Sequence, residues 1–178
     1  NAGVVQWAKV FGGTTSSDES WSVDTDSNGN IYIGGLFRGS VDFDSSDGVD
    51  ATDTLSADTD EGAKFSDAFV LKVDSSGDFL WVKKLGGDND DEYANAVRVD
   101  GDDNVYVAGV LQGDTDGVDM DDTPGDTEYD VVTPGNDGSL ATSGSNFGFV
   151  QKLNPANGNV TWSRTFLAGD GATNQDNT

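Results

Sequence analysis

The feature that most constrains the fold of this chain is an internal repeat. Residues 7–13 read Trp-Ala-Lys-Val-Phe-Gly-Gly, residues 81–87 read Trp-Val-Lys-Lys-Leu-Gly-Gly, and a weaker copy follows at 162–168. Further segments return in the same order, namely 30–34 at 104–109 and 67–73 at 147–153. A chain that repeats in this way is built from copies of one structural unit, which bury their apolar surface against each other.

Each unit is predicted to contain four short β-strands, because its apolar runs are rich in Val, Ile, Phe, Tyr and Trp. The predicted strands are residues 20–24, 30–37, 67–73 and 79–85 in the first unit and 94–100, 104–111, 147–153 and 160–166 in the second. Turn sequences of Gly, Asn, Asp and Ser separate them. No window shows helical periodicity, so the sequence predicts an all-β fold.

Four-stranded sheets repeated radially describe a β-propeller. We predict β-propeller-like blades of four antiparallel strands, two full blades plus one leading strand. The predicted divisions are a leading segment at 1–13, with an outer strand of a preceding blade at 4–11, a first blade at 14–87, a second at 88–168 and a tail or next blade at 169–178. Because propellers close with about four to eight blades, we expect further blades of the same chain or other copies of it as partners.

Composition excludes several functions. The net charge of −24 would repel nucleic acid and anionic membrane surfaces, and no apolar run is long enough for membrane insertion. The chain contains neither Cys nor His, which removes thiol chemistry and every nucleophile–histidine pair. No carboxylate pair stands out in an apolar setting, so we predict no catalytic residues and no enzyme activity.

The repeat also has a recognisable pattern. In the first unit it comprises Trp7, Gly12, Gly13, Val23, Asp24, Gly29, Asn30, Ile31, Tyr32, Gly34, Asp42, Phe43, Asp44, Asp67, Ala68, Phe69, Val70, Lys72, Gly77 and Trp81. This pattern resembles the bacterial β-propeller repeats of the SBBP type. The resemblance implies a propeller in an extracellular or cell-surface setting, and it implies no common reaction. In this comparison Val23-Asp24 is matched with Val99-Asp100, and the turn glycine is missing before Asn104.

The first candidate metal site lies in the long connections at 38–66 and 112–146. Acidic residues alternate there, at Asp42 and Asp44 around Phe43 and again at Asp119 and Asp121. In an extended segment the two acids share one face while the residue between them points inward. Since Ca²⁺ binds six to eight oxygens, neighbours such as Asp47 would complete the site. A solvated acidic loop is the alternative interpretation.

The second candidate metal site is the sequence around Asp24, Asp26 and Asn28, which resembles the opening of an EF-hand loop. Its twelfth position is Gly35, where that motif requires Glu, so a β-hairpin turn is the favoured alternative. A third candidate joins the acidic runs 17–19 and 88–92 to the long connections. The alternative there is again a solvated loop.

These patterns predict a non-catalytic structural or interaction module, secreted or at the cell surface. We expect Ca²⁺ to stabilise it and the module to belong to a larger propeller, or to a self-assembling filament, matrix or adhesin. The repeated Trp7, Trp81 and Trp162 are expected to pack between blades. The alternative function is a carbohydrate-binding or carbohydrate-active propeller with glycans as ligands, for which the unrepeated Trp21 is the candidate contact.

Overall fold

The computed structural model describes residues 3–13, 17–44, 53–57, 65–86, 91–113 and 145–167. All regular elements in these ranges are β-strands: β1 (Glu19–Thr25), β2 (Ile31–Phe37), β3 (Ser40–Asp42), β4 (Thr54–Ser56), β5 (Asp67–Val73), β6 (Phe79–Leu85), β7 (Glu92–Val99), β8 (Val105–Gly113), β9 (Ser145–Leu153) and β10 (Val160–Leu167). The described ranges hold no helix that is long and apolar enough to cross a membrane.

The strands form two antiparallel sheets of four strands each, which confirms the predicted fold class. Sheet 1 has the order β1-β2-β5-β6, and sheet 2 has β7-β8-β9-β10 in the order of the chain. The predicted strand positions are confirmed to within about two residues. The connection between β2 and β5 contains a small additional sheet, in which β3 pairs with β4. The sequence-based prediction treated this stretch as a loop.

The main core lies between the two sheets. Sheet 1 contributes Tyr32, Ala68, Val70, Trp81 and Leu85 to it, and sheet 2 contributes Ala94, Val97, Val105, Val107, Leu111, Phe149 and Leu153. Because side chains alternate along a strand, the neighbouring residues of β5 and β6 point to the opposite face of sheet 1. That face forms a second cluster of Phe37, Val41, Phe43, Ala57, Phe69, Leu71, Val73 and Val82. Sheet 1 is therefore apolar on both faces.

The leading segment differs from its prediction, because residues 3–13 form no strand in the structure. An outer strand needs the edge of its own sheet, and the described residues offer no such edge. Side chains attach the segment instead. The Phe11 ring lies 5.9 Å from the Phe69 ring and 5.5 Å from the Phe43 ring, measured between centroids. The segment covers part of the second cluster on sheet 1.

Polar contacts join β1 of sheet 1 to β7 of sheet 2, which we call the inner strands. The Val97 amide donates to Ser22 Oγ over 3.0 Å, and the Val99 amide donates to Asp24 Oδ2 over 2.8 Å. At the adjoining turns, the Ser27 amide donates to Asp103 Oδ1 over 2.8 Å. These bonds fix the register of sheet 1 against sheet 2 in addition to the apolar core.

Two glycines are required by bulges in the inner strands. The pairing of β1 with β2 shifts between Ser20 and Ser22, and the pairing of β7 with β8 shifts between Tyr93 and Ala96. A Cβ on Gly35 would overlap the carbonyl oxygen of Glu19. In the second sheet Gly109 has the same relation to Tyr93.

Gly35→Ala should therefore destabilise the fold. We expect it to lower the free energy of unfolding by about 1–3 kcal/mol, because the added methyl group forces the bulge apart. The matched control is Gly148→Ala in β9, where the nearest atoms to an added Cβ belong to Phe166 at 3.9 Å. Guanidinium unfolding of both variants measures the difference, and equal midpoints would contradict this reading of the bulge.

Candidate functional site

The contact that repeats along this chain is an indole ring packed on a turn of the neighbouring blade. Trp81 Nε1 donates to the Pro155 carbonyl over 3.2 Å, in the turn that joins β9 to β10. The ring covers Gly158, whose φ is +76°, and a Cβ built there would lie 2.8 Å from Trp81 Cε3. Glycine is needed at this position both for its backbone conformation and for the approach of the ring.

The same contact occurs one unit earlier. Trp7 Nε1 donates to the Ser75 carbonyl over 3.1 Å, in the turn between β5 and β6. A Cβ on Gly77, whose φ is +84°, would lie 2.9 Å from Trp7 Cε3. Trp7 and Trp81 hold the same repeat position, as do the two turns. The prediction that these tryptophans pack between repeat units is therefore confirmed for Trp81, and Trp7 makes the same contact from the leading segment.

A buried cation lies beside the indole in the same interface. Lys72 Nζ donates to the Pro155 carbonyl over 2.8 Å, so this oxygen accepts two hydrogen bonds from sheet 1. The same ammonium group lies 3.7 Å from Asp26 Oδ2 and 4.8 Å from the centroid of the Tyr32 ring. The Asp26 carboxylate and the face of the Tyr32 ring thus stabilise the charge of the Lys72 ammonium group in a site where water is excluded.

Both carboxylate oxygens of Asp26 accept hydrogen bonds from groups in or next to its own turn. Its Oδ1 accepts from the amides of Asn28 and Asn30 over 3.0 and 2.9 Å, and its Oδ2 accepts from Asn30 Nδ2 and the Tyr32 hydroxyl over 2.8 and 3.1 Å. Burial acts to raise the pKa of Asp26, but the hydrogen bonds outweigh it and hold the pKa below its ordinary value. Burial and the Asp26 charge raise the pKa of Tyr32 far above its ordinary value. Both groups keep one protonation state across the ordinary pH range.

These bonds form a hairpin turn, the structure expected from the alternative interpretation. Metal binding by Asp24, Asp26 and Asn28 stays a prediction. Asp24 accepts from the amides of Thr25 and Val99, so its two oxygens bond to backbone in different blades. Within the described ranges, no group of three or more acidic side chains could hold a metal ion. The order of the turn bonds matches the Asx-turn pattern, in which Asp bonds to backbone amides ahead of it.

The match between the two turns needs correction. Asp100 Oδ1 accepts from the amides of Asp102 and Asn104, both over 2.9 Å, as Asp26 does from Asn28 and Asn30. Asp100 therefore corresponds to Asp26, and the earlier match with Asp24 is wrong. In both turns the Asn lies four positions after the Asp, and this spacing in the sequence identifies Asp26 as the residue that corresponds to Asp100.

The missing turn glycine is replaced by an aspartate. Asp103 holds a φ of +61°, where Gly29 in the first unit holds +81°. Asp is one of the few residues that tolerates this left-handed conformation. Its carboxylate accepts from the amide and hydroxyl of Ser27, over 2.8 and 2.6 Å, so the substitution adds a link between the blades.

In the first long connection, the alternating acids flank an inward-pointing ring, as predicted. Phe43 is buried, while Asp42 and Asp44 on either side are partly exposed. Asp42 Oδ1 accepts from the Asp44 amide over 2.9 Å. Asp47, Asp119 and Asp121, which the calcium hypothesis also needs, lie outside the described residues. Calcium binding in these loops stays a prediction.

The third candidate metal site joined the acidic runs 17–19 and 88–92 to the long connections. One carboxylate from each run, Asp18 and Asp91, bonds to the connection between β2 and β5. Asp18 Oδ2 accepts from the Gly13 amide over 2.7 Å, and its Oδ1 accepts from the Arg38 amide over 3.0 Å. Asp91 Oδ1 accepts from the Ser66 amide over 2.8 Å. Asp18 ties the start of the first blade to the connection that follows β2 in the same blade, whereas Asp91 ties the start of the second blade to the end of that connection in the first blade. The bonds are to backbone amides and, for Asp91, also to the Ser66 hydroxyl. Residues 88–90 of the second acidic run lie outside the described residues.

Within the part of the chain that the structure describes, sheet 2 presents the repeated interface without a neighbour. We call the surface formed by Tyr106, Lys152, Trp162, Arg164 and Phe166 the back face. These residues hold the repeat positions of Tyr32, Lys72, Trp81, Lys83 and Leu85. Trp162 is 37% exposed and Phe166 59%, whereas Trp81 and Leu85 are 8% and 1% exposed. The Lys152 ammonium lies 5.7 Å from the Tyr106 ring centroid, which repeats the Lys72–Tyr32 arrangement in the open.

Trp21, the candidate carbohydrate contact, lies beside an open groove of about 490 Å³ between the leading segment and β1. It is 41% exposed. One face of its ring stacks on Tyr93, with 5.5 Å between centroids and 23° between planes. Its Nε1 donates to Glu19 Oε2 over 2.9 Å. Trp21 thus joins the two blades at their inner edge, and glycan binding there stays a prediction.

Comparison with known proteins agrees with this repeat. Residues 6–36 match the SBBP family model, described as a beta-propeller repeat. The matched segment begins beside Trp7 in the leading segment and ends in β2. The match covers the leading segment from residue 6 onward, β1 and most of β2, and the two described four-stranded antiparallel sheets are consistent with propeller-like blades.

A second comparison points the same way. The chain is 31% identical over 112 residues to an uncharacterized WD repeat-containing protein of Acanthamoeba polyphaga mimivirus. The match covers 59% of this chain and 8% of the viral protein, so the chain spans a small fraction of that relative's length. Together with the two sheets, these matches support a repeat-type interaction module.

The two repeated tryptophans should differ sharply in their effect on stability. Trp81→Ala should lower the free energy of unfolding by about 3–5 kcal/mol, because it empties a packed site and removes a partner of the Pro155 carbonyl. Trp162→Ala should change it by about 1 kcal/mol or less, because the ring is partly exposed. Denaturant unfolding of the two variants gives both values. Similar losses would refute the assignment of Trp81 as the interface anchor.

Proposed function

We propose that this chain is a non-catalytic structural module whose blades exist to bind further blades of the same kind. The observation that supports the proposal is the back face, where the anchors of the internal interface recur and no described residues cover them. A single sheet with an apolar face of this kind gains stability by stacking, as repeat proteins do. The module therefore functions by assembling a larger propeller or array.

The chemistry of the back face defines the partner it would bind. Trp162 offers an indole N–H, and Lys152 offers an ammonium group, the two donors that Pro155 receives in the internal interface. A partner must then present a turn with a free carbonyl and a glycine under the ring. The turns at 74–78 and 154–159 of this protein have both features and bind Trp7 and Trp81 in this structure, which makes the turn of a like blade the best-matched ligand.

We further propose that the module works outside the cell or at its surface, in an adhesin, matrix or filament, with Ca²⁺ held by its acidic connections. The resemblance to the SBBP repeats supports the location. Of the 33 acidic residues, 29 are Asp, and this bias supports the metal, since Asp is favoured in Ca²⁺ loops over a surface that merely needs charge.

The stacking proposal can be tested by extending the chain with a second copy of residues 88–168 after residue 168. In the extended chain, Trp162→Ala in the original copy should cost about 3–5 kcal/mol, as at a buried indole. In the original 178-residue chain, the same change should cost about 1 kcal/mol or less. Denaturant unfolding and the Trp162 emission wavelength report the difference. An equally mild effect in both chains would show that the back face does not bind a blade.

The calcium proposal has its own test. Thermal unfolding in EDTA and in excess Ca²⁺ should give a clearly higher melting temperature with Ca²⁺, because a bound ion stabilises the folded state by mass action and relieves repulsion among the acids. Mg²⁺ at the same ionic strength is the control for charge screening. Identical melts in all three buffers would remove Ca²⁺ from the account.

A further inference from the structure

The turn between β5 and β6 is occupied by a ring that does not belong to a sheet. The leading segment places Trp7 on Gly77 and the Ser75 carbonyl, where an outer β-strand would place it. The segment has no ladder of its own in the described residues and is held by side chains. Its other attachments include an ion pair of 3.2 Å between Lys9 and Asp78, with both side chains largely exposed.

The back face carries the same set of groups on a complete strand. Trp162, Arg164 and Phe166 on β10 hold the repeat positions of Trp7, Lys9 and Phe11 in the leading segment. Trp162 would reach the Ser75 carbonyl, Arg164 would reach Asp78, and Phe166 would cover the Phe69 ring. Lys152 would add a second donor to Ser75, as Lys72 adds to Pro155.

We call the face of sheet 1 that carries Phe69, Leu71 and Val82 its front face. We infer that this front face is a binding site for the back face of a second copy of this chain, and that the leading segment competes for it. The inference rests on the proposed stacking function and deepens it by naming the partner and the competitor. Exchange replaces one isolated segment with a four-stranded sheet, which would also cover Val23, now 61% exposed, and the groove beside Ile33. Copies joined in this way form a head-to-tail array.

The second-copy interface lacks the polar contacts of the inner strands. Ser22, Asp24 and Ser27 bond to sheet 2 within the chain, but the residues at their repeat positions in sheet 2 are Ala96, Arg98 and Gly101. The contact between copies therefore depends on the outer anchors, above all Trp162. It should be weaker than the internal interface and depend on protein concentration.

A disulfide trap tests this geometry, since the natural chain contains no cysteine. One full-length chain carries Arg164→Cys and a second carries Asp78→Cys, positions that the exchange would bring together. Mixed under a glutathione buffer, they should form a crosslinked pair. In the control for random collisions, the Arg164→Cys chain is mixed with a chain that carries Gly101→Cys instead of Asp78→Cys. Gly101 lies in the turn between β7 and β8 with open space around it.

Two further substitutions test whether Trp7 is the competitor and whether Trp162 is the anchor of the contact between copies. Trp7→Ala on the Asp78→Cys chain should increase crosslinking by about tenfold, because the competing indole is gone. Trp162→Ala on the Arg164→Cys chain should reduce it to the level of the Gly101→Cys control. Circular dichroism confirms that each variant keeps its strands, so loss of crosslinking cannot be assigned to unfolding.

The outcomes separate this inference from the proposed function. Crosslinking that is no higher than in the control, or that does not change with Trp162→Ala, overturns the second-copy site. If the extended chain still buries Trp162 in that case, the back face binds blades within one chain and the proposed function stands. If Trp7→Ala has no effect on specific crosslinking, the leading segment is not the competitor.

Discussion

A sheet that is apolar on both faces cannot be covered by anything within itself, and this constraint shapes the described structure. Sheet 1 is covered on one face by sheet 2 and on the other by the leading segment and the β3–β4 pair. Sheet 2 is covered by sheet 1 on one face, and its other face retains half-exposed aromatic rings. The contact of sheet 1 with sheet 2 and its contact with the leading segment use the same anchor, an indole on a glycine turn, because the repeated sequence supplies both parts of the contact to every unit.

The sequence predicted the strands well because their pattern depends on local composition and on the repeat. It also predicted that Phe43 points inward, since alternation along an extended segment is a local property. The strand expected at 4–11 failed for a non-local reason. Its residues have the composition of an outer strand, but a strand forms only beside an edge with free hydrogen-bonding groups, and composition cannot reveal whether that edge is present.

The error in matching the two turns had a chemical origin. The first unit contains two Asp residues, Asp24 and Asp26, only two positions apart, and only one of them can cap the turn. Asp26 does so because Asn30 lies four positions after it, and Asn104 lies four positions after Asp100. Asp24 has a different role, as it bonds to the amide of Val99 in the next blade. That role depends on a contact with sheet 2, so the sequence of the first unit alone does not reveal it.

The two kinds of contact between blades have different consequences. The outer anchors recur in each unit, so they allow any blade to meet any other. The inner contacts of Ser22, Asp24, Ser27 and Asp103 do not recur, because their repeat positions in the other sheet hold different residues. Those residues are Ala96, Arg98, Gly101 and Gly29. These bonds specify which blade follows which, as unpaired polar groups would disfavour the wrong neighbour.

The distribution of charge leads to the same conclusion. The chain has only nine cationic residues against 33 acidic ones, yet five of the nine, Lys9, Lys72, Lys83, Lys152 and Arg164, lie at two repeat positions of the blade interface. Surface solubility would not concentrate scarce positive charge there. Lys72 shows the reason, since its ammonium group neutralises Asp26 and bonds to the turn of the next blade in one buried contact. In a chain that is otherwise self-repelling, these cations lie at the contact between sheet 1 and sheet 2 and at the same repeat positions on the back face and in the leading segment.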